Sequence, residues 1–227
     1  MGQRAARQEG SIRQSLLAFE AAALQQSKDV FAELLLRPMP LLSSVAGEAR
    51  EGLFIPLQAR VLIKIIAKAA FAADELLQLR RECELQGRLG HPHLLKVLAL
   101  RENTQHLVVV GEFFPARSLA VAAEEQLQFT AEQVVQVLHD VSLALKFLHR
   151  RGVAHRDVRL EYIFFDGKTA KLGGFRHAQP LPPKGHFRDC VGSPEYVAPE
   201  SLLRRGGPEG DFWALGVCAY RLLTGDA

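Results

Sequence analysis

The chain has 227 residues, 48% of them hydrophobic and 23% charged, with a formal net charge of +3. That length suits one large domain or two small lobes sharing an interface, and the composition is ordinary for a soluble globular protein. A charge this small, with no basic run interleaved with aromatics, gives no nucleic-acid footprint, and no stretch reaches the roughly 18 uninterrupted apolar residues of a membrane span. The apolar run from Val61 to Ala73 carries Lys64 and Lys68. Cys83, Cys190 and Cys218 are far apart and show no metal or pairing spacing, which suits a reducing compartment. "MGQRAA" has Ala6 where a myristoylation signal prefers Ser or Thr, and the sequence shows no secretory-signal pattern, so the cytoplasm is the default location.

Residues 1 to about 10 are polar. From Ser11 to about Leu36 the residues favour helix, until Pro38 and Pro40 stop it. This extension, residues 1–40, reads as a docking helix or as a solubilising segment packed on its own domain. "LLSSVAGEAREGLFIPL" then has two glycines in a turn-like centre. "VLIKII" is a buried strand by its β-branched content. "DELLQLRRECELQGRL" is a helix with Leu76, Leu79 and Cys83 on one side. "LLKVLAL" and "HLVVVGEFF" are strands around a turn at Asn103 and Thr104. Residues 41–113 thus form a small, mainly β lobe.

From residue 114 to 227 the character is helical. Thr130 and Gln133 make a capping box, and Val134, Leu138, Val141, Leu145 and Leu148 repeat along one helix face. "YIFFDGKTAKL" has a hairpin turn at Asp166-Gly167. A Pro-rich loop covers Gln179 to Lys184. "DFWALGVCAYRLLTG" is nearly all apolar and reads as a buried helix.

A glycine-bearing turn, a lysine in a buried strand, a glutamate in the next helix and His-Arg-Asp after a long helix stand in that order. With "HRDVRLEYIFF", "GSPEYVAPE" and "DFWALGVCAYRLLTG", this resembles the eukaryotic protein-kinase family over about residues 41–227, in its serine/threonine form. The resemblance implies an α+β, two-lobed kinase-like fold, with a β-rich first lobe and a helical second lobe that stops after its central helix. Glu200 of "APE" would then lack its usual arginine partner, and the chain would be a fragment, a truncated product or a domain whose apolar surface needs a partner.

The resemblance also assigns roles. Lys64 matches the phosphate-holding lysine, Glu82 its ion-pair partner and Asp157 the catalytic base. Arg159 replaces a lysine near that base. His155, Arg156, Phe175, Glu200 and Asp211 take structural places. Gly47, Gly52, Phe54, Leu62, Lys64, Glu112, Phe113 and Phe164 line the nucleotide site, with Ala49 replacing its second glycine. Phe54, Leu62 and Phe164 crowd the adenine position, while Gly111 opens space behind it.

The pattern breaks at the metal. Tyr162 takes the position of the Mg²⁺-binding Asn, and Gly174 takes that of the D-F-G Asp; Asp166, in its hairpin turn, is a poor substitute on spacing, and Glu161 is better placed, though family members keep a glutamate there without using it for metal. Neutral tyrosine and glycine are poor ligands for a hard cation. The resulting expectation is a pseudokinase: a scaffold or regulator for signalling proteins, with no cofactor. The rival readings are an unorthodox ATP-dependent kinase working with Mg²⁺, and a nucleotide-binding switch that does not catalyse.

Overall fold

The structure is a computed structural model that describes residues 30–37, 42–44, 47–125, 127–183 and 185–225. It divides into two compact units. The first comprises residues up to Arg88 together with Lys96–Phe114, and the second comprises Leu89–Leu95 and Pro115 onward. The short segment Leu89–Leu95, which the sequence places in the first lobe, therefore goes with the second.

The first unit is one antiparallel sheet and one helix. Its strands are β1 (Leu34–Leu36), β2 (Leu42–Ser44), β3 (Gly47–Phe54), β4 (Ala59–Ala67), β5 (Val97–Glu102) and β6 (His106–Glu112). They run in the order β1-β3-β4-β6-β5, with β2 also paired to β3. Two findings differ from the sequence reading. Leu34–Leu36 are not the end of a helix, because they pair with Gly52–Phe54 as a strand. Residues 30–33, expected in the same helix, form a turn, and the rest of that reading, up to residue 29, lies outside the described residues. Gly47 and Gly52 do not sit in a turn, because Gly47–Phe54 is one continuous strand.

The two faces of this sheet bury different things. One carries Val30, Leu34, Phe54, Val61, Ile63, Ala99, Val108 and Val110. The other packs Val97, Leu100, Leu107 and Val109 against Cys83 and Leu79 of helix α1 (Ala73–Arg88). Alternation along β4 puts Val61, Ile63 and Ile65 on the first face, and Leu62, Lys64 and Ile66 on the second. Helix α1 is tied to the sheet by charge as well. Arg80 donates to both oxygens of Glu102 on β5, at 3.0 and 2.6 Å, and Lys68 pairs with the same carboxylate. At the β5–β6 turn, the Asn103 side chain accepts from the backbone of Gln105 and His106 at 2.9 and 2.7 Å.

The second unit is mainly helical, with α2 (Leu119–Glu124), α3 (Ala131–Arg150), α4 (Pro199–Leu202) and α5 (Glu209–Thr224). Helix α3 starts at the expected capping box: Gln133 N–H donates to Thr130 Oγ1 at 3.3 Å, and Thr130 N–H to Gln133 Oε1 at 3.0 Å. Its buried stripe is Val134, Val137, Val141, Ala144, Leu145 and Leu148, joined by Asp140. Leu138, expected in that stripe, is only half buried. Asp140 is tolerated because it accepts from Ala170 N–H at 2.9 Å and from Gln136 at 2.8 Å. Burial alone would raise its pKa, yet these bonds hold it below the usual carboxylate range.

Helix α3 packs on α5 and on the hairpin of β8 (Ile163–Phe165) and β9 (Ala170–Leu172), which follows the two-residue strand β7 (Val153–Ala154); β7 itself pairs with β10 (Gln179–Pro180). The Asp166-Gly167 turn is present, and Asp166 Oδ1 accepts from Lys168 and Thr169 N–H at 2.9 and 2.8 Å. Helix α5 is not buried all round, as its apolar composition suggested. Asp211, Ala214, Leu215, Cys218 and Leu222 are inside, while Phe212, Trp213, Tyr220 and Leu223 are exposed.

Candidate functional site

The loop from Val153 to Tyr162 is built on one buried carboxylate, Asp211, in the first turn of α5. Its Oδ2 accepts from His155 N–H at 2.9 Å and from His149 Nε2 at 2.7 Å, and its Oδ1 accepts from Arg156 N–H at 2.7 Å. These bonds hold Arg156 at φ +68, a left-handed conformation that costs a non-glycine residue about 1–2 kcal/mol. Asp211 thus stabilises a backbone shape that the local sequence would not adopt alone.

His155 is fully buried. Its Nδ1 accepts from Asp157 N–H at 3.3 Å, so the proton sits on Nε2, which donates to the Gly173 carbonyl at 2.8 Å. Burial pushes its pKa down, opposed by the nearby Asp211 and by the Gly173 carbonyl. Phe175, itself buried, stands edge-on to the ring at 5.1 Å between centroids. The imidazole is therefore a neutral spacer joining the loop to Gly173-Gly174-Phe175.

Asp157 is 6% exposed, and its Oδ1 is buried without a hydrogen-bond partner. Arg159 donates to Ser193 Oγ, lies 3.5 Å from Glu161 and places its guanidinium 4.8 Å from the centre of the Tyr162 ring.

Tyr162 and Gly174 are the residues at which the resemblance expects metal ligands. Gly174 has φ +75, and a β-carbon added there would lie within 2.6 Å of three ring carbons of Tyr162. The tyrosine ring thus fills the space from which a side chain at 174 would project. Gly173 N–H donates to the Tyr162 carbonyl at 2.8 Å and locks the two strands together. No carboxylate stands at either position. Asp166 Oδ1 is engaged in its own turn, and Glu161 faces Arg159. Among the described residues no group of three or more His, Cys, Asp or Glu is arranged to hold a metal ion. The side chains present do not fit Mg²⁺.

The remaining candidates lie in the first unit, apart from Phe164 and Glu200. Leu62 and Lys64 share the sheet face that carries α1, and Lys64 is exposed. Its charge and that of Glu82 both act on the thiol of Cys83, whose pKa is pushed up to about 12, chiefly by burial. Lys64 thus shares the sheet face on which α1, the helix that carries Glu82, is packed. Phe54 does not join them. It pairs with Ala59, lies with Val61 and Ile63, and is 5% exposed in the core of the opposite face. The residue opposite Leu62 is Glu51, 7% exposed and paired with Arg37 at 3.2 Å and with Arg60. The expected convergence of three bulky side chains on one pocket thus loses Phe54.

The need for glycine at 47 and 52 is met within the sheet. A β-carbon at Gly52 would reach Ile63 Cδ1 at 2.5 Å and Leu35 O at 2.6 Å, and one at Gly47, where φ is +142, would strike the Ile65 carbonyl. Glu112 closes β6, where its Oε1 accepts from Lys96 N–H at 2.9 Å, and the Phe113 ring lies under Arg60 at 3.8 Å. A β-carbon at Gly111 would make only ordinary contacts, the nearest being Lys96 O at 3.5 Å. Phe164, in the second unit, is half buried on β8 and bridges to Ser118. Glu200 lies in α4, where its carbonyl accepts from Arg205 N–H at 3.0 Å.

Three connections were missed in the sequence: Asp189 to Arg156, Arg221 to the Tyr196 hydroxyl at 2.6 Å, and Arg80 to Glu102. Each joins residues distant in sequence with no motif spacing to announce them.

The protein kinase domain family matches residues 46–227. The chain is 32% identical over 186 residues to the hormonally up-regulated neu tumor-associated kinase of Homo sapiens, covering 79% of this chain and 26% of that protein. Homolog A of that kinase in Xenopus laevis is also 32% identical, with 79% and 27% covered. The NUAK family SNF1-like kinase 1 of Mus musculus is 30% identical over 169 residues, with 73% and 26% covered. The chain spans about a quarter of the length of these relatives. It belongs to the eukaryotic protein kinase superfamily, serine/threonine type, with an α+β kinase fold. No helix among the described residues is long and apolar enough to cross a membrane.

Proposed function

We propose that this chain is a pseudokinase: a kinase-fold scaffold or regulator that binds signalling proteins in the cytoplasm and transfers little or no phosphate. The observation that carries this reading is the Tyr162 ring seated against Gly174. In kinases the side chains at these positions hold the Mg²⁺ that neutralises charge on the transferring phosphoryl group. Each ~1.4 kcal/mol of lost transition-state stabilisation slows the reaction tenfold. Replacing both ligands by an aromatic ring and a glycine removes that contribution altogether.

The degenerate nucleotide site accords with this. Gly47 and Gly52 serve the packing of their own strands, and buried Glu51 stands opposite Leu62 on the face that carries Lys64. On this reading Lys64, Glu82, Asp157 and Arg159 are remnants, and no cofactor is bound.

One observation favours the rival reading of an unorthodox ATP-dependent kinase. Asp157 is in place, and its Oδ1 is free of other hydrogen bonds. The two readings separate in one assay. Purified chain is incubated with labelled ATP and either Mg²⁺ or Mn²⁺, beside an Asp157→Ala control. The pseudokinase reading expects equal label in both; incorporation that disappears in the control overturns it.

A further inference from the structure

The segment from Gly185 to Ala198 has little regular structure: a single bridge from Phe187 to Gly206 and one 3-10 turn at Pro194–Tyr196. Side chains attach it instead, and Arg156 is the hub. That side chain is 7% exposed. Its Nη2 donates to Asp189 Oδ1 at 2.7 Å and to the Asp189 carbonyl at 3.3 Å. Its guanidinium lies 4.0 Å from the centre of the Phe187 ring, and Phe187 N–H is bonded to the Gly206 carbonyl at 2.7 Å. Two residues past Cys190, Gly192 comes so close that a β-carbon there would stand 2.8 Å from the Arg156 carbonyl and 3.3 Å from Asp157 Oδ1. Arg159 then holds Ser193.

A cation this far out of water needs an anion, because an unpaired buried charge costs several kcal/mol. Among the described residues Asp189 is the carboxylate paired with Arg156. The pairing also holds the Asp189 carboxyl below its usual range, with the Arg156 hydrogen bond as the largest cause. Segments of this kind are commonly ordered by adding a phosphate that faces an arginine. Here the sequence itself supplies the negative charge, beside an aromatic ring that stacks on the same guanidinium.

We propose that Asp189 is a built-in counter-ion that holds residues 187–193 on the His155–Asp157 loop in the unmodified chain, so that docking of this segment requires no phosphorylation. The surface that the segment presents is then permanent rather than switched. This holds whether or not the loop transfers phosphate, so its test is separate from the one above.

The test is hydrogen exchange over residues 187–193, followed by mass spectrometry. The chain is compared before and after phosphatase treatment, and with Asp189→Ala, Asp189→Asn and Asp189→Glu. Phosphatase is expected to leave exchange unchanged. Asp189→Ala and Asp189→Asn are expected to raise it at least tenfold, while Asp189→Glu, which keeps the charge, stays nearer the native rate. The Asp189 side chain is 56% exposed, and loosening of the segment returns Arg156 to water, so both variants keep the global fold, which circular dichroism measured alongside checks. Native-like exchange in both the alanine and asparagine variants overturns the proposal. Loosening of the native segment by phosphatase also overturns it.

Discussion

The ring of Tyr162 occupies the space in which a side chain at Gly174 would begin, so these two residues are one packing unit. Restoring a carboxylate at 174 alone would drive its β-carbon into the ring, at a backbone φ of +75 that disfavours any L side chain.

Gly174→Asp is therefore expected to lose about 1–3 kcal/mol of stability through overpacking, with a further cost from the backbone. Tyr162→Asn opens the space, so the double variant should be more stable than the sum of the two singles predicts. A coupling of about 0.5–3 kcal/mol is expected for residues in contact. Urea unfolding of the four proteins measures it. Additive effects would mean that Tyr162 and Gly174 do not constrain each other.

Nucleotide binding is expected to be absent. A ligand at a hundred times its dissociation constant adds about 2.7 kcal/mol, and each kcal/mol raises the melting temperature of a protein this size by roughly 2–4 °C. Millimolar ATP should produce no shift of about 5–10 °C, with or without Mg²⁺ or Mn²⁺. A metal-dependent shift would favour the enzyme, and a metal-independent one the nucleotide switch.

The catalytic-loop part of the site was legible in sequence because its parts are local. His155, Asp157, Tyr162 and Gly174 sit in two short motifs, and the expectation that the metal ligands are lost rests on their side-chain chemistry alone. What the sequence could not convey was register and packing. Whether Phe54 faces Leu62 or the opposite core depends on which residue of β4 it pairs with, and one step of register moves a side chain across the sheet. The apolar composition of α5 did not reveal that Phe212 and Trp213 are left outside. At Leu34–Leu36 the leucine-rich sequence favours helix locally, while pairing with β3 overrides that preference. The Tyr162–Gly174 interlock required knowing where a ring points.

Acid is expected to weaken the fold well above the range where carboxylates titrate. Burial holds the pKa of His155 below its ordinary 6.5, and burial is also the leading cause of lowered values at His91 and His177. A histidine kept neutral in the native state contributes stability above the unfolded pKa. As pH falls through about 6.5, the unfolded chain takes protons that the folded chain refuses, and stability drops. The lowered carboxyls of Glu102 and Asp189 act only nearer their ordinary values of 4.5 and 3.8. Urea midpoints at pH 7.5 and 5.5 test this. His155→Gln should be less stable than native at pH 7.5 but lose less on acidification; an equal loss in both would place the effect elsewhere.

Asp211 and Asp157 should separate scaffold from catalytic remnant. Asp211→Ala leaves the N–H groups of His155 and Arg156 and the His149 ring without their acceptor in a buried setting. Each buried donor so orphaned costs about 1–3 kcal/mol, and the left-handed turn at Arg156 loses what holds it. The loop should loosen, and with it any partner surface built on the second unit. Asp157→Asn keeps the shape, and its Oδ1 has no hydrogen bond to lose, so stability and partner binding should stay near native. Co-precipitation of one partner set by both variants, with melting temperature measured alongside, decides between the roles. Partners lost by Asp157→Asn and kept by Asp211→Ala would show that the remnant of the active site, rather than the fold built around it, is what the partners recognise.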